Sequence, residues 1–196
     1  MSTVVITRRG SEVAIGADAL ETASGTKISP RYRRRPTKLL RFGETVLGFV
    51  GNSVDQLVFE NVIERHGSWL SFDGRAAIFE TFRRLHPLLK DEYFVRTDEA
   101  GDERDPYESS QLWALVANPG GIFEVDAWRG VSEHERFWAA GSGTPFALGA
   151  MYAAWETAAD ARALAEVGVL AGCEFDEGSG PSVAIEVLAL TGESAG

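Results

Sequence analysis

The sequence predicts an α+β fold, a four-layer αββα sandwich in which two antiparallel sheets lie between helix pairs. Three observations carry this expectation. The apolar segments follow the order strands, two helices, strands, two helices, strand. Strands gathered in blocks favour antiparallel pairing, because each parallel pair needs a long crossover connection. The joints between strands are hairpin joints, Arg8-Arg9-Gly10-Ser11 and Pro119-Gly120-Gly121 above all. Finally, 196 residues with 44% apolar content can bury one good-sized core, and no shift in composition divides the chain, so residues 1–196 are expected to form a single domain.

Taken in order, Val4 to Thr7 and Val13 to Ala17 are expected as strands of a hairpin. The stretch from Glu21 to Lys38 is rich in Ser, Thr, Gly and Pro and reads as a basic loop, with Pro30 and Pro36 opposing regular structure. "KLLRF" and "TVLGFVGN" read as strands about the Gly43-Glu44 turn. Ser53 is the expected N-cap of a helix whose apolar positions are Val54, Leu57, Val58, Val62 and Ile63. Asp73 is expected to cap a second helix, with Ala76, Phe79, Phe82 and Leu85 as its buried stripe and Pro87 disturbing its end. The acidic stretch Asp91 to Ser109 reads as irregular, and "QLWALVAN" and "GIFEVDAW" as a hairpin. Helices are expected from Thr144 to about Thr157 and from about Asp160 to Gly172, followed by the strand "SVAIEVLAL" and a polar tail.

Composition excludes several function classes. A net charge of −10 disfavours nonspecific nucleic-acid binding. The basic run Arg31, Arg33, Arg34, Arg35, Lys38 and Arg41 has only Tyr32 interleaved for stacking, so it reads as a solvated or interface loop. No secretory leader precedes the first strand, no run of about 18 apolar residues could span a membrane, and the single Cys173 suits a reducing compartment; a cytoplasmic location is expected. His66, His86 and His134 stand apart and read as surface or helix-end residues. With one Cys and no His pair at helical spacing, neither metal nor cofactor is expected. "SGTK" lacks the upstream glycine of a phosphate loop, and no Gly-x-Ser-x-Gly elbow is present.

One nucleophile needs no histidine. A hydroxyl residue at the N-terminus carries its own base, since a free α-amine has a pKa of roughly 7.7 to 8.0. Ser2 qualifies once Met1 is removed, and its small side chain permits that removal. Such a site also needs a nearby cation to lower the pKa of the nucleophile, and a carboxylate to hold the cation.

With Ser2, "VVIT", "RRG" and "VAIGADA" in this order, the chain resembles the proteasome β-subunit and HslV peptidase family of N-terminal-nucleophile hydrolases over nearly its whole length. The resemblance implies Ser2 as nucleophile, since starting at Thr3 would break the spacing by one, and Asp18 as the carboxylate. It implies Lys38 in "TKLLRF" as the cation, with Arg34 and Arg35 as rival alignments. In "GFVGNSVD" it implies Gly51 as the backbone N–H of an oxyanion hole, with Asn52 replacing a second glycine, and Phe49 as a wall of the substrate pocket. "GSGTPFALGAMYAAWE" places Ser142 beside the active site, and "AGCEFDEGSG" gives Asp176 and Ser179 as partners orienting the N-terminus.

The function so implied is a self-compartmentalising endopeptidase subunit acting on unfolded protein or peptide. It would work in homo-oligomeric stacked rings, with an unfoldase partner the sequence does not identify and with Phe59, Trp69 and Trp155 as candidate interface aromatics. Ser replaces the family's usual Thr, whose methyl group helps fix the hydroxyl rotamer. The alternative is a catalytically silent ring-forming subunit or scaffold with Met1 retained, and a third reading is an N-terminal-nucleophile amidohydrolase acting on a small amide.

Overall fold

The computed structural model describes residues 2–97 and 106–191. Its strands are β1 (Val4–Arg9), β2 (Glu12–Asp18), β3 (Glu21–Ala23), β4 (Thr26–Ile28), β5 (Leu39–Phe42), β6 (Thr45–Val50), β7 (Trp113–Asn118), β8 (Gly121–Val125), β9 (Val131–His134), β10 (Phe137–Ala140) and β11 (Val183–Ala189). Its helices are α1 (Ser53–His66), α2 (Gly74–Asp91), α3 (Thr144–Ala154) and α4 (Ala161–Phe175). The strands form an antiparallel sheet ordered β10-β1-β2-β11, a second antiparallel sheet ordered β5-β6-β7-β8-β9, and the small hairpin β3-β4.

Three apolar clusters form the interior. In the first, Phe59 and Val62 of α1 and Ile78, Phe82, Leu85 and Leu89 of α2 meet Phe49, Val116 and Phe123 of the larger sheet. In the second, Val4, Ile6, Val13 and Ile15 of one sheet meet Val46, Leu115 and Ile122 of the other. In the third, Ala147 and Met151 of α3 and Leu164, Ala165 and Val169 of α4 meet Val5, Ala14 and Ala139. Residues alternate between clusters along each strand, Val4 and Ile6 on one face of β1 and Val5 on the other, as the two-residue period of a strand requires. The sheets approach closely where Gly48 faces Val4. A Cβ built at Gly48 would lie 2.5 Å from Val4 Cγ1, so only a glycine lets β6 come this near to β1.

Several expectations change. The cap of α1 is Asn52, one residue before Ser53: Val54 N donates to Asn52 Oδ1 at 3.2 Å and Asn52 N donates to Asp55 Oδ2 at 3.0 Å, a reciprocal capping box. Of the expected apolar positions of α1, Val62 is buried and Val58 and Ile63 pack against the core, while Val54 and Leu57 are exposed; the buried Phe59 is not among them. Phe59 is therefore core and no interface candidate; its ring lies 5.1 Å from Phe49, 6.4 Å from Phe72 and 5.9 Å from Phe82. On α2 the buried stripe runs through Ile78, Phe82, Leu85 and Leu89, leaving Ala76 and Phe79 outside. Pro87 does not end this helix, which continues to Asp91, because the one carbonyl it deprives belongs to exposed Arg83. The basic loop contains the β3-β4 hairpin and a turn of 3-10 helix at Pro30–Tyr32. β9 was not legible in the polar text "VSEH". Part of the expected irregular stretch and most of the polar tail lie outside the described residues.

Phe59→Ala is expected to destabilise the protein by about 3 to 5 kcal/mol, because truncating a buried aromatic forfeits its transfer energy and leaves a cavity. Denaturant unfolding checks this, and an unchanged midpoint would contradict the core placement. A second expectation concerns Asp55, whose carboxyl burial pushes up to about 6 from 3.8, against the lowering effect of the Asn52 N–H. The folded state thus holds this proton to higher pH than the unfolded chain does, so this group's contribution to stability falls as pH rises from about 4 to about 6. Asp55→Asn removes the titration and should flatten the stability profile in that window relative to the wild type. Parallel profiles for the two proteins would refute the assignment.

Candidate active site

The β1-β2 register pairs Val4 with Ala17, which sets Thr3 opposite Asp18. Asp18 N donates to Thr3 O at 3.1 Å, and Thr3 N returns a hydrogen bond to Asp18 Oδ1 at 2.9 Å. On the other edge of β1, Val4 pairs with Ala140, so the chain beyond β10 runs past Ser2, and Gly143 N donates to Ser2 O at 3.2 Å. Sheet register alone therefore places residues 2, 18 and 142 in one neighbourhood.

Lys38 enters from the second sheet. β5 pairs Leu39 with Gly48, and Phe49 N donates to Lys38 O at 3.2 Å. Its ammonium donates to Asp18 Oδ1 at 2.6 Å, with the carboxylate fully buried and the lysine side chain 14% exposed. Arg34 and Arg35, the rival alignments, are exposed and belong to the loop. Arg33 pairs instead with Glu21 at 2.9 Å. Leu20 N and Gly180 N donate to Asp18 Oδ2 at 3.0 and 3.2 Å, completing the carboxylate's partners.

A second carboxylate organises the opposite flank. Ser2 N donates to Ser142 Oγ at 3.1 Å, and Ser142 donates to Asp176 Oδ2 at 2.7 Å. Ser179 also donates to Asp176 Oδ2 at 2.7 Å. Since that hydroxyl has one proton, the 2.7 Å contact between Thr3 Oγ1 and Ser179 Oγ has Thr3 donating. Thr3 is fully buried in this contact, whereas Ser2 borders two cavities.

One cavity, of about 430 Å3, has Lys38, Phe49, Gly51 and Gln56 in its wall beside Ser2. Gly51 follows β6 with φ +123°, a conformation open to glycine and strained for other residues, and it turns the chain into α1. All eight residues expected at the site, Ser2, Asp18, Lys38, Phe49, Gly51, Ser142, Asp176 and Ser179, are thus joined by hydrogen bonds or by this cavity wall. What happens at Met1, retention or removal, lies outside the described residues. Cys173, on α4, donates to Gly180 O at 3.0 Å, and burial pushes its thiol up to about 11, with the Asp18 charge adding to the rise. It is protonated at neutral pH and is no rival nucleophile.

Two histidines are less isolated than the sequence suggested. His86 meets Ser110 Oγ at 2.9 Å and Glu108 Oε2 at 3.1 Å, and His134 stacks on Trp138 with centroids 4.8 Å apart. Their partners are distant in sequence or across a turn, so spacing could not reveal them. Among the described residues no group of His, Cys, Asp and Glu is arranged to hold a metal ion, and no helix is long and apolar enough to cross a membrane.

No family model and no curated protein matches the chain. Solved structures do. The bacterial proteasome homologue (BPH) of Thiobacillus denitrificans superposes with a TM-score of 0.91 at 37% identity, covering 97% of this chain and 100% of its own. The same protein in complex with epoxomicin gives 0.90 at 37% identity, over 97% and 100% of the two chains. The eukaryotic HslV of Trypanosoma brucei shares the fold at a TM-score of 0.68 and 22% identity, over 95% of this chain and 99% of its own. The identity to the Thiobacillus protein over nearly the full length of both chains places this protein in the proteasome and HslV-like family of N-terminal-nucleophile hydrolases.

Proposed function

We propose that the protein is a self-compartmentalising endopeptidase subunit, a single domain of the helix–sheet–sheet–helix type, that uses Ser2 as its nucleophile. The observation that supports this most directly is the placement of Ser2 between two carboxylate-centred groups: it shares a cavity wall with Lys38, which Asp18 holds, and its N–H donates to Ser142, which Asp176 holds. In this reading Met1 is removed and the Ser2 amine is free. The amine takes the hydroxyl proton directly or through a water, and Ser2 Oγ attacks the peptide carbonyl carbon. Lys38 lowers the pKa of the nucleophile by its charge, and the Gly51 N–H receives the oxyanion.

The protonated amine, oriented by Ser142, Asp176 and Ser179, then passes its proton to the departing nitrogen as the C–N bond breaks. Water, deprotonated by the same amine, attacks the ester carbonyl carbon; the bond from that carbon to Ser2 Oγ breaks, the amine returns its proton to Oγ, and the acid is released. Phe49 walls the pocket for the residue on the acyl side. The substrate is unfolded protein or peptide, and the subunits assemble as homo-oligomeric stacked rings. The epoxomicin complex of the Thiobacillus relative supports a ligand-accepting site in this family.

Ser2→Ala should reduce turnover of a fluorogenic peptide by at least about a thousandfold, the scale on which covalent catalysis is lost, with the oligomer intact by size-exclusion chromatography. Epoxomicin should block the wild-type activity. Undiminished turnover in the variant would sink the assignment. Intact mass of protein from its native host is expected to lack Met1; full retention without turnover would favour the silent ring-forming subunit.

A further inference from the structure

A second cavity, of about 460 Å3, opens at Ser2 and is distinct from the Phe49 pocket. Ser2 and Gly51 line both, so an extended chain held across the nucleophile would place one side chain in each. The two differ chemically. Lys38, Arg33 and Glu21 line the first, whereas the second has apolar walls from Val50, Trp113 and Trp138 and, among the described residues, one charged residue, Glu124.

Glu124 occupies an unusual position. It lies on β8 opposite Leu115 of β7, and Leu115 and Ile122 both belong to the cluster between the two sheets. By the two-residue strand period, the Glu124 carboxylate therefore stands at the rim of an apolar layer, with its side chain 25% exposed. Its neighbours come close without completing it. His134 Nε2 is 3.7 Å from Glu124 Oε2, an ion-pair separation too long for a hydrogen bond. Among the described residues the buried Nε1 of Trp138 and Nε2 of His134 have no hydrogen-bond partner. The influence of His134, and then of Trp138, holds the carboxyl below its ordinary range, so it is ionised at neutral pH.

An ionised carboxylate beside indole walls favours a cation of matching shape. A guanidinium donates to the carboxylate and stacks on an indole face, and an ammonium does the first without the planar fit. The leaving side of the reaction lies toward this cavity. Ser142, which accepts from Ser2 N, is part of its wall, and the proton carried by the Ser2 amine must reach the departing nitrogen.

We propose that the Glu124 cavity is a specificity subsite on the leaving-group side of the scissile bond, taking an arginine or lysine side chain of the substrate. The proposal rests on the peptidase reading for its place in the reaction, while the binding site itself is testable without turnover.

The first measurement uses the assembled protein and two internally quenched peptides that differ only in carrying Arg or Gln after the scissile bond. The Arg peptide is expected to have a kcat/KM about tenfold higher, the scale of one charge-assisted hydrogen bond. The ratio should fall to about one in Glu124→Gln, and Glu124→Lys should turn the preference toward a Glu peptide, a gain that misfolding cannot produce. A ratio unchanged in both variants would overturn the subsite. The second measurement titrates the Ser2→Ala protein with the same peptides and reads the fluorescence of Trp113 and Trp138. Tighter binding of the Arg peptide, lost in the Ser2→Ala, Glu124→Gln double variant, supports the subsite even if the wild type cleaves neither peptide, in which case only the peptidase reading fails. Equal binding of the two peptides overturns it.

Discussion

The Asp18 carboxylate is the constraint around which the rest of the molecule is arranged. It is fully buried and accepts four hydrogen bonds, from Thr3 N, Leu20 N, Gly180 N and Lys38 Nζ. These donors come from four stretches of the chain: the N-terminal segment, the exit of β2, the approach to β11 and the approach to β5. A charge removed from water is tolerable only when its lone pairs are met, and losing one partner leaves the others insufficient. The carboxylate therefore demands that these four stretches meet, and in meeting they set Lys38 beside Ser2.

Asp176 plays a complementary part with less burial. It receives Ser142 and Ser179 at one oxygen, and through them it reaches Ser2 N and Thr3 Oγ1. Just before β1, Thr3 is buried as an anchor while Ser2 borders two cavities, so two neighbouring hydroxyl residues have different surroundings. Glu124 supplies a contrast of the same kind. Asp18 accepts four hydrogen bonds, while Glu124 has a histidine at ion-pair distance and, among the described residues, the buried Trp138 N–H has no hydrogen-bond partner. A saturated carboxylate holds a structure together, and one left incomplete at a cavity wall retains the capacity to bind.

Ion pairs also tie parts of the basic run to neighbouring strands. The basic run that drew attention in the sequence gives Arg33 to Glu21, and Arg41 of β5 to Glu186 of β11, at exposed or half-exposed positions where such pairs contribute little to stability. The first ties the loop to β3, beside the cavity that Lys38 and Phe49 line.

The sequence by itself determined the two main hairpins and the four helices, because strand alternation, helical periodicity and turn residues are local and survive in one dimension; the eight site residues entered as expectations from a resemblance in motif order and spacing. It misplaced the α1 cap by one residue and assigned Phe59 to an interface. An N-cap is decided by which side chain meets the free N–H groups, and the sides of a helix acquire meaning only against the sheet they cover. Only the tertiary structure decided that Lys38 rather than Arg34 or Arg35 reaches Asp18, that His134 stacks on Trp138, and that Glu124 opens beside Ser2. β8 is buried on both faces, so its alternation carries no mark of which side holds the cavity. Proximity between residues 2, 38, 124 and 176 arises from sheets stacked on one another, and that distance is written in no window of the chain.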